Sequence, residues 1–227
     1  AEKEMAQAQN LAEAARETGI EHAVWSTLED TRKWVPLDDD RMPTLQGKYK
    51  VPHFDGKGAS DKYFAENGVP TTYALASFYW DNLIHFGMGP KRNEDGNLAI
   101  TFPMGDGRLS GIVAEDIGKC VYGIFKRPDL IGRRIGLAGG EPTCAQMANT
   151  LSDALGETVV YQAVTPAQYR SFGFPGADDL GNMFQFYQEF EEDCCKTRDV
   201  SFARSLNPEL QNFKTWVSAN KDKLVTE

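Results

Sequence analysis

Apolar positions in the first half of the chain switch between helical spacing and short continuous runs. A helix is predicted by apolar residues three or four positions apart, namely Met5, Ala8, Leu11, Ala12 and Ala15. Gly19 then provides a stop, and residues 22–27 have the apolar character of a strand. The same order returns with a helix over residues 54–67 and a strand over residues 71–75. Helices that alternate with strands in this way predict an α/β fold built on a parallel sheet.

The alternation continues to about residue 140, and the pattern then becomes mainly helical. Strand patterns over residues 98–102 and 134–138 flank a helical stripe that starts at Ala114. Two capping boxes, Thr143–Gln146 and Thr165–Gln168, predict the starts of later helices. Further helical patterns cover residues 176–192, 199–206 and 213–223. We therefore expect a parallel sheet followed by a smaller, mainly helical C-terminal lobe.

The charge balance and the cysteines narrow the range of functions. The chain of 227 residues has 24 basic and 33 acidic side chains, a net charge of −9 that repels nucleic-acid phosphates. Its apolar runs are too short to span a membrane, and no Cys/His spacing predicts a metal site. Reduced thiols are typical of a cytoplasmic protein, with the nucleus as a second location. The adjacent Cys194 and Cys195 leave a second interpretation, a thiol redox sensor activated by Lys196 or Arg198.

Several local strings distinguish this chain from other α/β proteins. They are His53–Gly58, Tyr63-Phe64, Gly68-Val69-Pro70, Phe78–Asn82, Ala114–Gly118, Gly173–Ala177, Asp179-Leu180, Asn182-Met183-Phe184 and Leu206-Asn207-Pro208. In content and order they closely resemble the NmrA-like family, an atypical branch of the short-chain dehydrogenase/reductase superfamily. The resemblance implies a Rossmann-type domain that binds NAD or NADP, here over residues 1–140. Residues 141–227 would form a lobe for substrate or partner, interleaved with the first part.

The glycine-rich loop that holds the pyrophosphate in such proteins has no counterpart in this sequence. Gly136–Gly140 is the only glycine-dense segment, and its spacing and late position favour a turn after a strand. The first helix resembles the one that precedes the fifth strand of the family fold. The resemblance therefore implies that the N-terminal strands of the sheet are missing from this chain. We expect this to bare a long hydrophobic edge of the sheet, so that either the chain is an incomplete protein or another chain covers the edge.

The string from His53 to Lys57 stands where reductases of the superfamily carry Tyr-x-x-x-Lys, with both functional side chains one helical turn apart. The resemblance implies that Lys57 contacts the nicotinamide ribose. His53 replaces the tyrosine and is a catalytic candidate, because imidazole exchanges a proton near neutral pH. The alternative is that His53 only fills the vacated position. Ser26 stands where a catalytic Ser or Thr often lies, or it satisfies backbone groups at the strand end.

The segment Tyr79, Trp80, Asp81 and Asn82 lies where family members close over the nicotinamide. Core packing and helix capping are the other interpretation of these residues.

The resemblance favours a redox-sensing regulator with little or no catalysis, which reports to a protein partner through the C-terminal lobe and forms a homodimer. The alternative is an NAD(P)H-dependent reductase of a small carbonyl or quinone, with His53 and Lys57 in its site. The choice between NAD and NADP stays open, because the deciding residues follow the second strand of the family's sheet.

Overall fold

A computed structural model of the chain describes residues 1–224. The α-helices, in chain order, are α1 (Glu2–Thr18), α2 (Pro52–Glu66), α3 (Asn82–His85), α4 (Ala114–Phe125), α5 (Cys144–Leu155), α6 (Pro166–Ser171), α7 (Ala177–Glu189), α8 (Glu191–Thr197), α9 (Val200–Leu206) and α10 (Phe213–Leu224). The strands are β1 (Ala23–Thr27), β2 (Thr71–Leu75), β3 (Phe78–Tyr79), β4 (Lys91–Arg92), β5 (Leu98–Phe102), β6 (Gly111–Ile112), β7 (Arg134–Gly136) and β8 (Val159–Ala163). The predicted α/β fold is confirmed.

The central sheet is parallel and has the strand order β1-β2-β7. Ser26 is in register with Ala74, and Leu75 with Gly136. Within residues 1–224, β1 pairs only with β2, so it forms the open edge that the sequence predicts. A second sheet, β4-β5-β8, joins the part of the chain before residue 140 to the part after it. The division into two parts at residue 140 stays a prediction.

Helices cover both faces of the central sheet. Ala8 and Ala12 of α1 pack with Phe64 of α2 on one face. Ile124 of α4 and Leu206 of α9 belong to the cluster on the other face. This gives the three-layer arrangement typical of parallel sheets, with helices on both faces of the sheet.

Gly58 allows α2 to approach the end of β1 very closely. A Cβ atom at this position would lie 2.6 Å from the backbone nitrogen of Asp30 and 3.0 Å from the carbonyl oxygen of Leu28. No side chain fits such a space, so only glycine permits this contact. The approach brings the neighbouring Lys57 to the carboxyl end of β1.

Polar side chains of α7 hold the long loop between β1 and α2. The buried Asn182 donates to the Lys50 carbonyl at 2.6 Å, and Gln185 donates to the Arg41 carbonyl at 2.8 Å. Phe184 and Phe186 of the same helix belong to the largest hydrophobic cluster. The C-terminal lobe and the β1–α2 loop therefore pack as one unit over the end of the sheet.

The structure confirms most predicted helix ends and corrects others. Both capping boxes form, at Thr143 and at Thr165, and Gly19 ends α1 with φ 64°. The helix predicted over residues 176–192 instead breaks at Phe190, where φ is −117° and ψ is 35°. Helix α8 follows that break and was not predicted, because the turn depends on packing and not on a local stop signal. No helix within residues 1–224 combines the length and the apolar character that crossing a membrane requires.

Two of the strings that carry the family resemblance meet in space. Asp116 of α4 is fully buried and accepts hydrogen bonds from the Asn207 side chain at 3.1 Å and the Gln211 N–H at 2.9 Å. A buried carboxylate needs such donors, since an unpaired one is expensive to desolvate. The pair therefore anchors the segment after α9 onto α4.

Candidate functional site

A cavity of about 500 Å³ opens at the carboxyl ends of β1 and β2, beside α7. It is lined by side chains from the sheet, from α2 and from the C-terminal lobe, among them Ser26, His53, Lys57, Ser77, Tyr79, Asn82, Leu180, Met183 and Tyr187. Ligands of parallel α/β sheets bind at this edge, because the strand-end loops there point away from the packed core. The fold thus brings five of the sequence-predicted residues together, namely Ser26, His53, Lys57, Tyr79 and Asn82.

The other two residues of the predicted nicotinamide segment do not line this cavity. Trp80 is fully buried, and its ring packs against Phe213 with a centroid distance of 5.3 Å. The Asp81 carboxylate accepts a hydrogen bond from the Ala114 N–H at 2.8 Å, at the start of α4. These contacts match the alternative interpretation of the two residues, core packing and helix capping.

Lys57 reaches the open edge of β1 from the first half of α2. Its ammonium nitrogen lies 2.9 Å from Glu4 Oε1 and donates to the Ser26 carbonyl at 3.3 Å. The same nitrogen lies 5.5 Å from the centroid of the Trp25 ring. The side chain of Lys57 is 24% exposed, so it remains accessible from the cavity. Its position fits a contact with a ribose or a phosphate, in competition with Glu4.

His53 lies one turn before Lys57 and faces an acidic residue that the sequence analysis did not assign to the site. His53 Nδ1 lies 2.7 Å from Oδ1 of Asp179, in the first turn of α7. The distance is that of an ion pair, whereas the orientation misses the angle of a linear hydrogen bond. Asp179 was part of a family-like string, but no local spacing linked it to His53, because the two residues meet only through the packing of α2 on α7.

A buried ion pair lies under the cavity. The fully buried Arg198 donates to both oxygens of Glu29, at 2.6 Å and 2.9 Å, and to the Ala76 carbonyl at 2.9 Å. Burial raises the pKa of Glu29, but the charge and hydrogen bonds of Arg198 outweigh it, and the pKa lies below its usual value. The two residues are 169 positions apart, so no sequence signal could pair them.

Two phenols complete the polar wall of the cavity. Burial raises the pKa of Tyr79, and burial likewise raises the pKa of Tyr187 well above its usual range. Both phenols therefore stay protonated at neutral pH and are available as hydrogen-bond donors. Ser77 instead uses its hydroxyl to donate to the Leu137 carbonyl at 2.7 Å.

The glycine-dense segment Gly136–Gly140 is covered by protein. A Cβ on Gly136 would lie 2.2 Å from the Thr197 carbonyl oxygen, and one on Gly139 would lie 2.4 Å from the Gln211 carbonyl oxygen. These glycines permit close backbone packing and leave no room for a phosphate, in agreement with the interpretation as a turn. No group of three or more His, Cys, Asp or Glu side chains within residues 1–224 is arranged to hold a metal ion.

All four cysteines are buried and unpaired, which removes the physical basis for a thiol sensor at Cys194-Cys195. Burial raises the pKa of Cys194 to about 12, although the charge of Arg198 lowers it. Burial also raises the pKa of Cys195. The cationic neighbour suggested by the sequence is therefore present, but desolvation outweighs it.

We expect the cysteines to be inert in the folded protein. A thiol with a pKa near 12 is ionised to roughly one part in 10⁴ at pH 8, and only the thiolate attacks disulfide reagents. Titration with a chromogenic disulfide at pH 8 should give slow reaction of all four thiols in buffer and rapid reaction in denaturant. Fast native labelling of Cys194 or Cys195 would contradict this expectation.

Comparisons with known proteins agree with the resemblance found in the sequence. A profile described as the NmrA-like family matches residues 1–217. An NmrA-like family domain-containing protein of Dictyostelium discoideum is 22% identical over 233 residues, which cover 98% of this chain and 72% of that protein.

Solved structures share the fold. NmrA, a negative transcriptional regulator solved with NAD, has a TM-score of 0.74 at 22% identity, covering 94% of this chain and 68% of its own. Triphenylmethane reductase of Citrobacter sp., complexed with NADP(H), has a TM-score of 0.69 at 18% identity, covering 95% and 70%. An NADPH-dependent quinone oxidoreductase of Escherichia coli, complexed with NADPH, has a TM-score of 0.68 at 20% identity, covering 94% and 70%. Regulators and reductases thus share this architecture.

Proposed function

The chain belongs to the NmrA-like family, and from that premise we propose that its cavity binds the nicotinamide end of NAD or NADP. The observation that carries the proposal is the position of Lys57 and Ser26 together at the carboxyl end of a parallel strand, beside a cavity of about 500 Å³. Tyr79 and Asn82 add polar groups for the carboxamide and the ribose hydroxyls. The residues present therefore fit a nicotinamide and its ribose.

The pyrophosphate end has no such support in this sequence. Residues 1–227 contain no glycine-rich loop with dinucleotide spacing, and Gly136–Gly140 is filled by neighbouring backbone. The proposal therefore concerns the nicotinamide–ribose part of the cofactor. Relatives solved with NAD, NADP(H) and NADPH support the choice of this class of ligand.

We further propose that the protein is a redox-sensing regulator. A sensor needs different affinities for the two forms of its ligand, because only differential binding shifts a population. The oxidised nicotinamide ring is a cation and the reduced ring is neutral. Leu180, Met183 and Phe78 give the cavity an apolar wall, where a cation is more expensive to desolvate. The reduced form should therefore bind more tightly.

The signal would pass through α7, which contributes Leu180 and Met183 to the cavity and belongs to the C-terminal lobe. A protein partner on that lobe, a homodimer, and a location in cytoplasm or nucleus are parts of the same proposal.

A second candidate function is reduction of a small carbonyl or quinone. The observation that favours it is that His53 and Lys57 line one cavity.

The proposal is tested by calorimetric titration with the oxidised and reduced forms of nicotinamide mononucleotide, and with NADP⁺ and NADPH. We expect tighter binding of each reduced form. Lys57→Met removes a charged donor worth about 1.5–3 kcal/mol, so the Kd should rise about tenfold or more. Lys62→Met on the same helix is the matched control, since Lys62 is exposed and lies outside the cavity.

If all four compounds give only their heats of dilution, none of them binds, and the nicotinamide site is rejected. Equal affinities of oxidised and reduced forms would retain the site and reject the sensor. Oxidation of NADPH in the presence of a quinone, lost in His53→Ala and Lys57→Ala, would favour the reductase instead.

A further inference from the structure

The contact between His53 and Asp179 is more specific than the filling of a vacated position requires. Nδ1 of the imidazole and Oδ1 of the carboxylate are both buried atoms, and within residues 1–224 neither has a partner that meets the angle of a hydrogen bond. They lie 2.7 Å apart. Among the described residues, the ion-pair contact is with each other. The two side chains remain 35% and 27% exposed, so the specific feature is that the two facing atoms are buried against each other.

The packing around the pair leaves one imidazole nitrogen for the cavity. The ring of His53 meets Phe54 edge-on, with centroids 4.8 Å apart. Asp179 approaches from the first turn of α7, and Leu180 and Met183 of that helix line the same cavity as His53. No group in the described part of the chain hydrogen-bonds Nε2 of His53. Nε2 is thus the nitrogen that a ligand in the cavity can contact.

We propose that Asp179 is a positioning residue that makes His53 the proton donor of this cavity, an inference that rests on the proposed nicotinamide site and on the second candidate function, the reduction of a small carbonyl or quinone. A carboxylate at Nδ1 keeps the proton on that nitrogen and holds the ring in one orientation. Proton exchange with a ligand is then confined to Nε2. The pair replaces, with a different chemistry, the tyrosine expected at position 53 from the resemblance to reductases.

The substrate class that fits is a small carbonyl or quinone. A reduced nicotinamide cofactor, when bound, supplies the hydride that forms the new C–H bond. Nε2–H of the protonated His53 gives its proton to the carbonyl oxygen, whose C=O π bond breaks as the O–H bond forms. The imidazole is left neutral, with its remaining proton on Nδ1 beside Asp179. It takes a proton back from water before the next cycle.

Nitrogen NMR of the ¹⁵N-labelled protein tests the orientation directly, because the chain has only three histidines. His22→Gln and His85→Gln assign the spectrum without touching the cavity. We expect neutral His53 to carry its proton on Nδ1, and Asp179→Asn to shift it to Nε2. Asp178→Asn is the matched control, since Asp178 is exposed and makes no contact with His53 within the ion-pair distance.

The wild-type spectrum alone can overturn the inference. A proton on Nε2 of neutral His53, or a spectrum unchanged in Asp179→Asn, contradicts the positioning role. The kinetic arm measures NADPH oxidation with a quinone panel, where Asp179→Asn should lower kcat about 10²-fold with little change in KM. If the tautomer responds but no substrate is reduced, the proton-donor role is rejected. The calorimetric titrations decide separately on the nicotinamide site, so the two failures are distinguishable.

Discussion

Replacing Arg198 by methionine should lower the free energy of unfolding by about 3–5 kcal/mol, because it leaves a buried carboxylate without its partner. Arg198 is fully buried and neutralises Glu29 through two hydrogen bonds of 2.6 Å and 2.9 Å. Its Nε also satisfies the Ala76 carbonyl, which borders the cavity. The substitution keeps most of the side-chain volume, so the loss measures charge and hydrogen bonding more than packing.

Denaturant unfolding followed by circular dichroism measures this difference. Arg127→Met is the matched control, since Arg127 forms an exposed pair with Asp129 and such pairs contribute about 0–1 kcal/mol. The double variant Glu29→Leu/Arg198→Met should recover part of the loss, because both charges are then removed. A loss below about 1 kcal/mol in Arg198→Met would show that the pair contributes little.

The pair also predicts how stability depends on acid. The pKa of Glu29 is lowered on folding, because Arg198 outweighs the effect of burial. Its stabilisation is therefore complete above the unfolded pKa of about 4.3 and is lost as the pH falls through the lower folded value. In Arg198→Met the effect of burial is no longer outweighed, so the pKa of Glu29 is raised in the folded variant. The difference between wild type and Arg198→Met should therefore begin to shrink as the pH falls through that raised value, before the stabilisation of wild type is lost.

Trp80→Ala should destabilise the protein by about 3–5 kcal/mol, the cost of a large cavity in a packed core. Trp80 is fully buried and packs against Phe213 and Trp216, with centroid distances of 5.3 Å and 6.5 Å. A Cβ on Gly111 would lie 2.0 Å from the indole nitrogen of Trp80, so the backbone at Gly111 packs directly against the ring. The surroundings cannot close over the space that the ring leaves.

Thermal and denaturant unfolding measure this effect, with Phe86→Ala as the control. Phe86 is 74% exposed, so its loss should change the free energy of unfolding by less than about 0.5 kcal/mol. Trp80→Phe should fall between the two. In the folded fraction of Trp80→Phe, the affinity for reduced nicotinamide mononucleotide should match wild type, since Trp80 does not line the cavity. A loss of this affinity in Trp80→Phe would show that Trp80 contributes to nicotinamide binding, as the resemblance implied.

The strings that resemble the NmrA-like family predicted several residues that line the cavity, but they did not separate these from neighbours that pack elsewhere. His53 and Lys57 face one cavity because helical periodicity places them one turn apart, and Ser26 reaches it because it ends a strand. Trp80 and Asp81 were grouped with Tyr79 and Asn82 by adjacency alone. Neighbouring residues in an irregular segment point in different directions, and that segment turns Trp80 into the core and Asp81 towards α4.

The amino-acid sequence by itself determined the α/β order, the early helices and strands, the two capping boxes and the placement of Lys57 one turn after His53. These features depend on hydrogen bonds and periodicity within a few residues, so a local pattern encodes them. Only the tertiary structure decided that Asp179 faces His53, that Arg198 neutralises Glu29 under the cavity, and that α7 ends at Phe190. Those contacts join residues far apart in the chain, and their energy depends on how the helices pack against the sheet.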